Sequence, residues 1–133
     1  MPDTTVPDPT VWLFEAELPA WPTSIYDGDT YRLDIDQGFR MRMERAQVRL
    51  AGVDCPSIKG DEREDGLAAR DRVRELLEPP TELVVRARAG DPQRYGRYLI
   101  DVHFTPYPAA GGASDDWHDL AAVLLEEGHA EPY

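Results

Sequence analysis

Lysine is nearly missing from this chain, with Lys59 alone against thirteen arginines, a bias that reflects coding preference and not activity. Cysteine is scarcer than any fold-stapling scheme requires. The single Cys55 forbids an internal disulfide and cannot by itself make a cysteine-based zinc site. No stretch approaches the roughly 20 consecutive apolar residues of a membrane span, so no membrane partner is expected. The start, MPDTTVPDPT, is acidic and proline-rich where a secretory signal is basic and then apolar. These absences lead us to expect a soluble, cytoplasmic protein. The three histidines, His103, His118 and His129, lack metal-ligand spacing and read as strand or surface residues. No internal repeat is present.

What the chain has in excess is acid. Its 133 residues carry a net charge of -12, which opposes long-range attraction to polyphosphates. The charge is concentrated at the ends. Residues 1–30 hold six acids and residues 101–133 hold seven, both without a base, whereas residues 31–100 hold 13 acids against 14 bases. Screening over roughly 8 Å at physiological salt leaves local clusters to govern local chemistry. Weak affinity for long duplexes is expected, and the acidic ends leave room for a protein partner.

Residues 1–10 read as a flexible leader and residues 11–133 as one domain, a length that supports a single core. Val11–Leu18 alternates like a strand and is broken by Pro19 and Pro22. Asp27-Gly28 turns into Tyr31–Asp36, the clearest period-two strand, and Gln37-Gly38 turns into Met41–Leu50, whose period slips near Ala46 as a bulge would make it. A helix is expected from Asp61 to Leu77, with Asp61 and Glu64 as a capping box and Leu67, Arg70, Val73, Arg74 and Leu77 on one face. Strands at Thr81–Ala89 and Tyr98–Phe104 flank a turn at Gly90–Gly96, and a second helix, Asp116–Glu127, carries Trp117, Leu120, Val123 and Leu124 and closes at Gly128. Three strands, a helix, two strands and a helix predict an α+β, mainly β fold: a five-stranded Greek-key barrel of the OB type with two helices.

Three short segments carry the chemistry. Asp27-Gly28-Asp29-Thr30 reads alone as a turn before a strand. In Val48–Pro56, Arg49 reads as a strand residue facing water and Asp54 as an Asx turn before Pro56. Arg94-Tyr95-Gly96-Arg97 reads as a solvated hairpin turn. Together they are far more specific: D-G-D-T, then an arginine five residues before an aspartate that is itself two residues before a proline, then Y-G-R. That order resembles the motif set of the staphylococcal nuclease-like (thermonuclease) family, and the run Leu124–Ala130 is similar to that family's closing helix and small-residue strand. The resemblance spans about residues 11–133.

The resemblance implies a Ca²⁺-dependent nuclease acting on DNA or RNA, single-stranded or denatured. Asp29 and Asp54 match its direct carboxylate ligands, the backbone carbonyl of Cys55 a third ligand, and Asp27 an outer-shell acid. Hard oxygen donors of this kind suit Ca²⁺, which takes six to eight of them. Arg49 and Arg97 match two guanidinium groups that grip the scissile phosphate through planar, permanently charged forks. Arg94 and Tyr95 match positions lining the nucleotide site.

One part of the pattern is missing. Where the family carries a glutamate after the proline, usually assigned as general base or water-positioner, this chain has Ser57, which can hold a water but cannot usefully take its proton near neutral pH. Attenuated turnover follows, or else a catalytically inactive nuclease-like domain serving as a binding or assembly module. Asp61, Glu62 and Glu64 are candidate substitutes, although acids in a first helical turn also serve as caps. Trp12, Trp21 and Trp117 read as core or edge packing.

Overall fold

The computed structural model describes residues 17–79, 81–88, 97–105 and 117–133. The leader, Trp12, Arg94, Tyr95 and the Gly90–Gly96 turn expected from the sequence lie outside the described residues.

Alternation along Thr30–Gly38 (β2) buries Tyr31, Leu33 and Ile35 on one face of the strand. Met41–Leu50 (β3) contributes Ala46, Val48 and Leu50 to the same core. Leu18–Ile25 (β1), Glu82–Ala87 (β5) and Tyr98–Thr105 (β6) complete a sheet ordered β3-β2-β1-β5-β6, which parallel pairing of β3 with β6 closes on itself. The other four pairings are antiparallel. The fold is therefore mainly β: a closed, mixed, five-stranded barrel with two helices, consistent with the OB type. Val53–Asp54 (β4) and Glu131–Pro132 (β8) form a separate two-stranded ribbon. Among the described residues no helix is long and apolar enough to cross a membrane.

Helix Arg63–Leu76 (α1) follows β4 and covers the barrel with Gly66, Ala69 and Val73, spaced three and four residues apart, followed by Leu77. Leu67 and Arg70, expected on this face, are only partly buried. Helix Leu120–Glu126 (α2) buries Leu120 and Leu124. The bulge expected near Ala46 is present as a register shift of β2 against β3, where Arg45 has φ of 52° and donates its N–H to Asp34 Oδ1 at 2.9 Å.

Three boundaries differ from the sequence expectation. β1 starts at Leu18 and runs through both prolines; a register shift between Pro22 and Ser24 absorbs the irregularity. The Asp61/Glu64 capping box does not form: Gly60–Glu62 makes a 3-10 turn, α1 begins at Arg63, and its N-cap Glu62 makes no side-chain cap bond. The Glu62 carboxylate accepts the Ser57 N–H instead. The second helix begins at Leu120 and not at Asp116, because His118–Asp119 (β7) pairs with His103 and Phe104 of β6 and Asp119 then caps Ala121 N–H at 3.0 Å. Trp117 thus lies outside the helix and is 38% exposed; Trp21, 48% exposed, lies under the Arg42 guanidinium on the barrel surface. Neither belongs to the core.

Candidate functional site

The turn before β2 is built for close approach. Tyr26 and Asp27 donate their N–H groups to Thr30 O, Asp29 N–H donates to Asp27 Oδ1 at 3.1 Å, and the buried Tyr31 hydroxyl donates to Gly28 O at 2.5 Å. Gly28 is required by space and not by φ. A Cβ there would stand 2.7 Å from Cys55 Sγ and 3.0 Å from the Ala69 side chain. Asp-Gly is thus more than a turn signal here, since the glycine lets the segment after β4 pack against the turn.

Sheet register assembles the rest. Thr30 pairs with Arg49 across β2 and β3, and Leu50 N–H donates to Asp29 O at 2.8 Å. A tight turn at Gly52, φ 82°, sends the chain back into β4, after which Cys55 N–H donates to Asp29 Oδ2 at 2.9 Å. Arg49 Nη2 lies 3.4 Å from Asp29 Oδ2 and 3.5 Å from Asp54 Oδ1, so both carboxylates face one nitrogen. The parallel β3–β6 pairing, Val48 with Tyr98 and Arg49 with Leu99, brings in Arg97. Its Nη1 donates to Thr30 Oγ1 at 3.4 Å, and that hydroxyl donates to Asp29 Oδ1 at 3.2 Å. Asp27, Asp29, Arg49, Asp54, Cys55 and Arg97 therefore occupy one region, linked through Thr30.

The cluster is rich in negative charge that it compensates poorly. Burial and then the neighbouring Asp29 raise the Asp27 carboxyl from 3.8 to about 6. Burial, followed by the nearby Asp29, Asp27 and Asp54, pushes the Cys55 thiol up to about 12, which keeps it neutral and unreactive. Burial also raises the Tyr31 phenol well above its ordinary value. The Arg49 contacts are long for charge-assisted bonds, which run about 2.7–2.9 Å, so its guanidinium is held loosely. Arg97 Nε is buried and has no hydrogen-bond partner among the described residues.

The donor chemistry fits a hard cation in type. Two carboxylates converge where a positive charge already sits, and Asp29 is buried while Asp54 is largely open. The fit is limited in number: among the described residues no group of three His, Cys, Asp or Glu side chains is arranged to hold a metal ion. A cation here would draw its remaining ligands from main-chain oxygen and water.

Ser57 is exposed, and its hydroxyl accepts the Lys59 N–H at 3.1 Å. Its carbonyl presses on α1 so closely that a Cβ at Gly66 would overlap it. Of the three candidate substitute acids, Glu62 alone is turned to this position, its carboxylate accepting Ser57 N–H at 3.3 Å. A groove of about 440 Å³ runs beside it, lined by Asp54, Cys55, Glu62, Asp65, Glu127 and His129 among others. It meets the cluster only at Asp54 and Cys55, so we place the chemistry at the carboxylate and guanidinium cluster and not in the groove. Glu127, on the groove, is held by Arg72 of α1 at 2.6 Å.

Two participants were not assigned from sequence. Thr30 was visible inside its motif, but its bridging role depends on the β3–β6 pairing. Tyr133, whose ring lies 4.8 Å from Arg49 Cζ, left no signal at all. Arg94 and Tyr95, expected to line the site, lie outside the described residues. In comparisons with known proteins, no family model matches this chain and no curated protein sequence matches it.

Proposed function

We propose that this cluster is the active site of a Ca²⁺-dependent nuclease that hydrolyses phosphodiester bonds of DNA or RNA at an attenuated rate. The observation that carries the reading is the convergence of Asp29 and Asp54 on one guanidinium nitrogen, with Arg97 joined to the same carboxylate through Thr30. Asp29 and Asp54 would hold the ion, the Cys55 carbonyl would add an oxygen, and Asp27 would act through water. Bound there, Ca²⁺ supplies positive charge to a phosphoryl oxygen. Arg49 and Arg97 bind and orient the phosphodiester and stabilise the charge that accumulates on it during in-line attack by water. Ser57 supplies no base, and the rate suffers by about 10²–10⁴ for that loss.

A second reading has its own support. Arg49 contacts both carboxylates without a metal, the Ser57 hydroxyl is engaged by Lys59 N–H, and the net charge of -12 disfavours polyphosphate. These suit an inactive nuclease-like domain acting as a binding or assembly module. Incubation with heat-denatured DNA in Ca²⁺ and in EDTA, for the native chain and for Arg97→Ala, separates the two. Cleavage that needs both Ca²⁺ and Arg97 supports the nuclease; an inert native chain supports the module.

A further inference from the structure

Phe39 stands at the tip of the β2–β3 hairpin and is 99% exposed, with Met41 beside it at 62%. Its backbone is held against preference. Gly38, Phe39 and Arg40 have φ of 79°, 53° and 62°, in the left-handed region that tight hairpin turns reserve for glycine and asparagine. Phe39 obtains no burial within the chain in return. Strain kept at an exposed aromatic points to a use outside the chain.

The same hairpin lines an apolar cavity. Its volume is about 100 Å³, and Leu18, Ile35, Met43, Val85, Ala87 and Ile100 are among the residues that form it. Met43 places it at the foot of the hairpin arm, four residues from Phe39. Apolar cavities of about 150 Å³ stay dry and take up benzene, so this one suits the leading edge of a phenyl ring. Charge also favours a meeting of two copies here. The chain carries -12, yet residues 34–45 set Asp34, Asp36 and Glu44 against Arg40, Arg42 and Arg45 and are neutral. Among the described residues the Arg40 and Glu44 side chains make no ion pair.

We propose, independently of the phosphodiester reading, that this hairpin is a dimer interface in which Phe39 of each copy seats in the cavity of the other. Knob and socket lie on one surface, so a two-fold axis lets each copy supply both. The same axis brings Arg40 of one copy towards Glu44 of the other, pairing two charges that the single chain leaves unpaired.

Sedimentation velocity over a concentration series measures the association. The native chain dimerises, and Phe39→Asn, which tolerates the left-handed backbone, weakens the dimer about a hundredfold, tenfold for each lost ring. Arg40→Glu weakens it as well, and adding Glu44→Arg to that variant restores it. Methyl spectra of the methionines report the socket directly. The Met43 methyl shifts with concentration in the native chain and stays fixed in Phe39→Asn. A native chain that remains monomeric up to millimolar concentration overturns the proposal, as does a dimer that survives Phe39→Asn or forms without moving the Met43 methyl. A monomer whose Met43 methyl moves only when benzene is added assigns the cavity to a small apolar ligand and likewise overturns it.

Discussion

Cys55 donates its backbone N–H to Asp29 Oδ2 over 2.9 Å, joining two segments 26 residues apart in sequence. This bond fixes where Asp54 sits relative to the turn before β2, so Asp29 has a structural duty besides any ligand role. Asp29→Ala leaves the Cys55 N–H without its acceptor and Arg49 without its buried partner. We expect a loss of about 1–3 kcal/mol in stability, measured by urea denaturation. An unchanged midpoint would show that the bond does not organise the site.

Gly28 faces a steric limit of another kind. Gly28→Ala places a methyl 2.7 Å from Cys55 Sγ and should cost about 1–3 kcal/mol by overpacking. Cys55→Ala in the same chain recovers part of that loss. Additive effects in the double-mutant cycle would contradict the contact.

Asp27 links stability to pH. Its carboxyl is raised in the fold, from 3.8 to about 6, so the folded state holds a proton that the unfolded state has released. The resulting stabilisation is complete below pH 3.8 and is lost as pH rises through about 6. Asp27→Asn keeps an acceptor for Asp29 N–H and removes the charge. It should raise stability at pH 7.5 by about 1 kcal/mol and give no gain at pH 3.5, read from melting curves at both pH values.

Cys55 offers a probe of local order. With its thiol pushed up to about 12 by burial and adjacent carboxylates, it should react with Ellman's reagent at pH 8 far more slowly than the same chain in urea. Equal rates would mean that the segment after β4 is not packed against Gly28.

Turnover tests the place of Ser57 in the proposed nuclease reading. Ser57→Glu should raise Ca²⁺-dependent cleavage of denatured DNA by about 10²-fold or more. Glu62 is the acid turned towards Ser57, and Glu62→Gln, which retains an acceptor oxygen, should lower the residual rate of the native chain. A Ser57→Glu protein no faster than the native one would place the defect elsewhere.

Much of the barrel was legible because period-two alternation in Tyr31–Asp36 and the apolar pattern of Tyr98–Phe104 report one buried face. The D-G-D-T motif, Arg49 and Asp54 stood out only as a set, and their meeting depends on strand pairing that local sequence does not encode. Helix starts were misread for a physical reason: Glu62 turns back to Ser57, and His118–Asp119 joins the sheet before Asp119 caps α2. Two prolines inside β1 likewise argued against a strand that a register shift accommodates. Tyr133 was invisible because its place over Arg49 arises from the short β4–β8 ribbon.

The question beneath all of these is whether Asp29 and Asp54 share one divalent ion. Calorimetric titration of CaCl₂ into the native protein, Asp29→Asn and Asp54→Ala answers it without reference to activity. One ion bound per native chain, with binding lost in both variants, is the expected result. Absence of binding to the native chain, or undiminished binding to either variant, would contradict a shared cation site.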